Sequence, residues 1–66
     1  MRILFNGQDR EIGEQLTIAQ FLAELKLAAK HVAVEVNREV VPRGLHGEHL
    51  LHAGDEVEIV TLVGGG

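Results

Sequence analysis

The sequence predicts an α+β fold: one mixed sheet of four to five strands with one main helix packed on one face. Three observations point there. Asn6-Gly7, a pair suited to tight hairpins, separates two short strand-like runs. One apolar stripe at helical spacing follows, formed by Ile18, Phe21, Leu22 and Leu25. Two further β-type runs then appear, at residues 32–37 and 56–63, and the second leads straight into Gly64-Gly65-Gly66.

Arg2-Ile3-Leu4-Phe5 is an apolar run of strand type. Asn6 and Gly7 both accept positive φ at little cost, so the chain can reverse within two residues. Residues 8–12 form the polar return strand. Asp9, Arg10 and Glu11 suit a sheet edge, where charge discourages pairing with another chain. Thr17 opens the helix. Thr17-x-x-Gln20 is a capping box, and Leu16 and Phe21 occupy the staple positions around it. Gln20, Glu24 and Lys26 fall on the opposite face, giving an amphipathic helix of two to three turns.

Val32, Val34 and Val36 alternate with Ala33, Glu35 and Asn37, the period of a half-buried strand. Asn37-Arg38 turns into Glu39-Val40-Val41, and Pro42 ends that strand. Arginine resists positive φ, so this turn is expected to be looser than the first. Residues 43–52 read as an irregular connection with a short helical turn around 48–51. Ala53-Gly54-Asp55 turns the chain into the last and longest strand. One helix can cover one face of one sheet, with the first and last strands side by side and parallel in its centre. That order is the β-grasp, or ubiquitin-like, arrangement. Residues 1–63 are expected to form this domain and residues 64–66 a flexible C-terminal tail.

The chain has 66 residues, too few to enclose a large substrate pocket, so a private catalytic cleft is not expected. It has no cysteine, hence no disulfide, no thiolate metal site and no side-chain persulfide. A formal net charge of -4 disfavours nucleic acid and favours partners with basic surfaces. No apolar run reaches membrane-spanning length, and the N-terminal run is too short for a signal peptide. The expected location is the cytoplasm.

Chemistry concentrates in the tail. Three glycines at specified positions arise by chance about three times in ten thousand, so their place directly after a central strand demands a reason. Without Cβ atoms, Gly64, Gly65 and Gly66 can enter a narrow channel in a partner enzyme. The Gly66 carboxylate is ionised at neutral pH and is a poor electrophile until activated. Adenylation by ATP supplies a leaving group. The chain has no phosphate-binding loop of its own, so that step needs another protein.

Ile3-Leu4-Phe5-Asn6-Gly7, Val32-Ala33-Val34-Glu35-Val36-Asn37, Val41-Pro42-Arg43, residues 54–60 (Gly-Asp-Glu-Val-Glu-Ile-Val) and the terminal glycines together resemble the ThiS family, the sulfur carriers of thiamin biosynthesis. The resemblance spans essentially the whole chain. It implies a carrier that binds no cofactor and catalyses nothing itself. An E1-like adenylyltransferase (ThiF) would activate the Gly66 carboxylate with ATP. A sulfurtransferase or cysteine-desulfurase relay would convert it to a thiocarboxylate, and thiazole synthase (ThiG) would accept the sulfur. Arg38 departs from the small or polar residue common at that position in the family. The small subunit of molybdopterin synthase, a ubiquitin-like modifier of lysines and a passive interaction module are the competing classes.

Three other features need weighing. His46-x-x-His49-x-x-His52 has helical ligand spacing, but zinc needs further ligands, and solvated loop histidines are the expected state. No metal site is predicted. Leu4, Val60 and Leu62 share the strand phase opposite to Ile3, Phe5, Val57 and Ile59. They form a candidate partner-docking patch unless the 43–52 connection folds over them. Asp55, Glu56 and Glu58 form an acidic cluster, either a solvated strand edge or a means of steering a basic partner.

Overall fold

The computed structural model describes residues 1–62; Val63 and the predicted tail, Gly64, Gly65 and Gly66, lie outside the described residues. Five strands form one sheet in the order β2-β1-β5-β3-β4. They are β1 (Arg2–Phe5), β2 (Gln8–Glu11), β3 (Val32–Val36), β4 (Glu39–Val40) and β5 (Glu56–Thr61). β1 and β5 pair in parallel at the centre, and the remaining pairings are antiparallel. The one α-helix among the described residues, α1 (Ile18–Glu24), lies across one face. The expected β-grasp is therefore the observed fold.

Local signals explain most of these elements. Asn6 and Gly7 adopt φ of 48° and 82°, and Phe5 pairs directly with Gln8, so the first hairpin closes through two residues. The Thr17 hydroxyl accepts from Gln20 N at 3.1 Å, and Gln20 Oε1 accepts from Thr17 N at 2.8 Å. This is the expected capping box, satisfying two amides that the first turn leaves free. At the other end Leu27 N donates to Leu22 O and Lys26 N to Ala23 O, a Schellman closure. Lys26 takes the left-handed conformation there (φ 60°), where glycine is more usual. The Ile18, Phe21 and Leu22 stripe is buried against Ile3, Val34, Leu51 and Val57, while Leu25 is half-buried at the margin.

The structure corrects three expectations. The Asn37-Arg38 turn is as tight as the first: Val36 pairs with Glu39, and both turn residues have positive φ, 54° and 70°. Bonds outside the turn hold it. Asn37 N donates to Glu56 O at 2.7 Å, Asn37 Oδ1 accepts from Glu56 N at 3.0 Å, and Arg38 Nε reaches Glu56 Oε1 at 3.3 Å. The left-handed backbone at Arg38 costs roughly 1–2 kcal/mol, and its exposed ion pair returns at most about 1 kcal/mol. Arg38→Gly is therefore expected to stabilise the fold by about 0.5–1 kcal/mol, read as a rise in the urea midpoint. A fall would show that the ion pair outweighs the strain.

Second, the short helical turn lies at Arg43–Leu45, directly after Pro42, and not around 48–51. Proline presets φ near the helical value and suits the residue entering such a turn. A further 3-10 turn at Ala29–His31, before β3, had no clear signal in the sequence. Third, His46 is not solvated. It is 4% exposed, and its Nε2 lies 3.0 Å from Val41 O. The carbonyl can only accept, so Nε2 carries a proton. Nδ1 is buried without a partner. The ring ties the exit of β4 to a connection that docks on the start of α1, through Ala19 N to His46 O and Ile18 N to His49 O. His46→Ala removes buried volume and orphans a buried carbonyl, an expected cost of roughly 2–3 kcal/mol by denaturant melting.

Candidate functional site

The geometry that matters is the far end of β5. β1 stops at Phe5 because the chain must turn at Asn6-Gly7, and its ladder with β5 covers only Leu4↔Glu56 and Phe5↔Val57. β5 continues to Thr61 along β3, with Ala33↔Val60 and Val32↔Thr61 in register, and Leu62 N donates to His31 O at 2.8 Å. The last strand thus runs past its parallel neighbour toward the tail, braced on one side. The Asn6 side chain spans the step. Its Oδ1 accepts from Ile59 N at 2.9 Å and its Nδ2 donates to Ile59 O at 3.4 Å, replacing the ladder that β1 no longer supplies. The sequence marked Asn6 as a turn residue and missed this clamp; no local pattern reports a bond across so long a separation.

Pleat alternation then divides β5. Val57 is fully buried under α1 and Ile59 packs beside it, so Val60 points to the opposite face. Val60 is 54% exposed and Leu62 50% exposed. The 43–52 connection does not cover them. It docks on the helix side of the sheet, where Thr17 bridges to Leu50 and Leu51 N donates to Leu16 O. Leu4 shares the outer face but is half-buried, level with Glu56. Four strand residues, about 13 Å, separate that level from Val60. The exposed apolar surface nearest the tail is Val60 and Leu62 with Ala33 beside them, and Leu4 lies at the other end.

Nothing else in the described residues assembles reactive groups. No three His, Cys, Asp or Glu side chains among them stand together as metal ligands. His46, His49 and His52 are respectively buried, half-buried and exposed, and among the described residues they form no three-ligand group. A surface hollow of about 450 Å³ lies between the β3-β4 hairpin and Pro42, Leu45 and Asp55, at the opposite end of β5 from the tail. The acidic cluster is largely engaged. Asp55 Oδ2 accepts from His52 N at 2.8 Å, its Oδ1 accepts from Asn37 Nδ2 at 3.1 Å, and Glu56 pairs with Arg38. No helix among the described residues is long and apolar enough to cross a membrane.

Comparison with known proteins gives this geometry its context. A match to the ThiS family covers residues 3–66. The sulfur carrier protein ThiS of Escherichia coli is 29% identical over 66 residues, covering the whole of both chains. A thiazole synthase of Paramagnetospirillum magneticum is 36% identical over 66 residues, all of this chain but 20% of that protein. The chain thus spans about a fifth of the length of that curated relative, and the same share of a second thiazole synthase, from Magnetococcus marinus. The crystal structure of the thiamine biosynthesis protein ThiS from Geobacter metallireducens superposes with a TM-score of 0.86 at 35% identity, covering both chains fully. A β-grasp sheet whose last strand runs past its neighbour toward a glycine tail, matched over nearly its whole length, belongs to the ThiS family of sulfur carriers.

Proposed function

We propose that this chain carries sulfur on its terminal glycine for thiazole formation in thiamin biosynthesis, with Gly66 as the residue activated and Gly64 and Gly65 as the stretch that enters the partner's active site. An E1-like adenylyltransferase of the ThiF kind uses ATP to convert the Gly66 carboxylate to an acyl adenylate. The outer sulfur of a persulfide carried by a sulfurtransferase or cysteine-desulfurase relay displaces AMP to give an acyl disulfide. A thiol then attacks the relay's sulfur, forming a disulfide and releasing the thiocarboxylate. Thiazole synthase of the ThiG kind takes the sulfur. The setting in this reading is the cytoplasm, where ATP is at hand. The single observation that carries it is β5 itself: a strand held by β3 on one side and the Asn6 amide on the other, aimed into three glycines. Two relatives support the choice of acceptor, since a segment like this chain occurs there within proteins named as thiazole synthases.

The physical logic suits a carrier. A thiocarboxylate is a sulfur nucleophile on a protein handle, delivered to one acceptor and never released as free sulfide. The chain's own residues need only fold, present the tail and be recognised. The deciding experiment is mass spectrometry of the protein isolated from its own cell. One terminal oxygen replaced by sulfur is the expected result; a terminus found only as a carboxylate, or joined to lysines of other proteins, would sink the reading.

Recognition is assigned to the apolar surface around Val60 and Leu62. A partner holding Gly66 must pass within a few residues of both. Val60→Asp or Leu62→Asp places a charge in an apolar contact without a counter-charge. Either variant is expected to weaken binding to the adenylating enzyme and the sulfur acceptor alike, by tenfold or more, while the unfolding midpoint stays near wild type. Unchanged affinities would move the contact elsewhere on the molecule.

A further inference from the structure

The open face of the sheet carries a feature that folding alone does not account for. Cross-strand register sets Glu35 of β3 directly opposite Glu58 of β5. Their neighbours Val34, Val36 and Val57 are buried beneath α1, so both carboxylates stand on the outer face. Like charges facing each other across a ladder destabilise it. Here they face each other in the longest pairing of the sheet, five residues from Val32↔Thr61 to Val36↔Val57. Two other acids of the sheet have cationic partners, Glu56 with Arg38 at 3.3 Å and Glu11 with Arg2 at 3.5 Å, whereas Asp9 and Glu39 have none among the described residues. Among the described residues, no cation lies within ion-pair distance of Glu35 or Glu58.

Apolar side chains flank the pair. Val40 of β4 sits opposite Glu35 on the same face and is 66% exposed, and Val60 follows Glu58 two residues nearer the tail. Across the sheet the order is Val40, Glu35, Glu58, with Val60 and Leu62 leading toward the glycines. No element of the described chain covers this face. An acidic pair set among exposed apolar groups complements a protein surface with a basic side chain amid apolar ones.

We propose that this face seats thiazole synthase, and that an arginine or lysine of that enzyme inserts between Glu35 and Glu58 while its apolar neighbours close on Val40, Val60 and Leu62. The inference rests on the sulfur-donor reading above and adds the chemistry of the partner's surface. A guanidinium is the better fit, because its planar fork can donate to both carboxylates at once. The repulsion present in the free carrier becomes attraction to one cation in the complex. It also opposes pairing of two carriers face to face, since four carboxylates would then meet without a counter-charge.

The test measures affinity and melting together. Glu35→Gln, Glu58→Gln and the double variant are compared with Glu24→Gln, which removes the same charge from an exposed position on α1. The probe is the source organism's own thiazole synthase, titrated calorimetrically at low and raised salt. Relief of repulsion is expected to raise the melting temperature of each sheet variant by about 2–5 °C. Loss of a charge-assisted contact is expected to weaken binding roughly ten- to hundredfold and to flatten its salt dependence. Glu24→Gln should change neither. Unchanged affinity in the double variant overturns the proposal. So does an equal loss with Glu24→Gln, which would reduce the effect to net charge, or a loss seen only with the adenylating enzyme. A wild-type carrier that forms its thiocarboxylate yet never binds the synthase also overturns it, whereas one that forms no thiocarboxylate removes the carrier reading first.

Discussion

Removal of Gly66 is expected to abolish thiocarboxylate formation entirely while leaving the unfolding midpoint where it was. Among the described residues Val57 is the last that is fully buried, and beyond it Thr61 pairs with β3 and Leu62 N donates to His31 O. A chain-terminal glycine four positions beyond Leu62 is expected to contribute little to stability. The chemistry, by contrast, has no substitute. In the proposed cycle, loss of Gly66 leaves the terminal carboxylate on Gly65, one residue short of the position the partner's active site would reach, and a displacement of even an ångström costs a reaction dearly. Two measurements decide it: thermal unfolding of the truncated and full-length chains, and incubation of each with the adenylating enzyme, ATP and a sulfur donor, followed by mass spectrometry. A truncated chain that is still sulfurated would show that Gly66 is not the reactive residue.

The largest effect on stability is expected at Phe21. Its side chain is completely buried, and its ring meets Phe5 edge-on with centroids 5.2 Å apart and planes 80° apart. The Arg10 guanidinium lies over both rings, at 5.6 Å and 5.8 Å from their centres. Phe21→Ala removes the central filler of the core and both of these contacts with it, a cost of roughly 3–5 kcal/mol. A domain of 66 residues has a total stability of only about 3–10 kcal/mol. The variant should therefore be largely unfolded at 37 °C, seen as lost chemical-shift dispersion and a collapsed urea midpoint. Leu25→Ala and Ile59→Ala fall at half-buried positions packed on the margin of the core and should cost less, near the lower end of the usual 2–5 kcal/mol range. Native-like melting of Phe21→Ala would mean that the helix is seated on the sheet in some other way.

Much of the fold and of the candidate site can be read from local chemistry. Asn6-Gly7, the Thr17-Gln20 box and the alternation of Val32, Val34 and Val36 each stabilise their own element within a few residues, so the pattern is written where the structure forms. Alternation along β5 also placed Val60 and Leu62 on the face away from Val57, because a pleat leaves no other choice once one residue is buried. The glycine tail was visible for a similar reason: the use proposed for it depends on what its residues lack, which a sequence states directly.

What tertiary structure decided involves partners distant in the chain. Arg38 adopts a backbone that its own chemistry disfavours because Glu56, eighteen residues on, holds both its side chain and its turn. His46 is buried because the connection after Pro42 docks on α1, and the same docking leaves Val60 and Leu62 uncovered. Glu35 and Glu58 became a facing pair only when the β3-β5 register was set. Sequence by itself determined the elements, the sheet-and-helix class and the glycine tail, since those follow from propensity and period over a few residues. Register, the docking of the long connection and the exposure of the outer face were settled by the whole chain. They depend on which buried surface the assembled core makes most favourable, and no short segment contains that comparison.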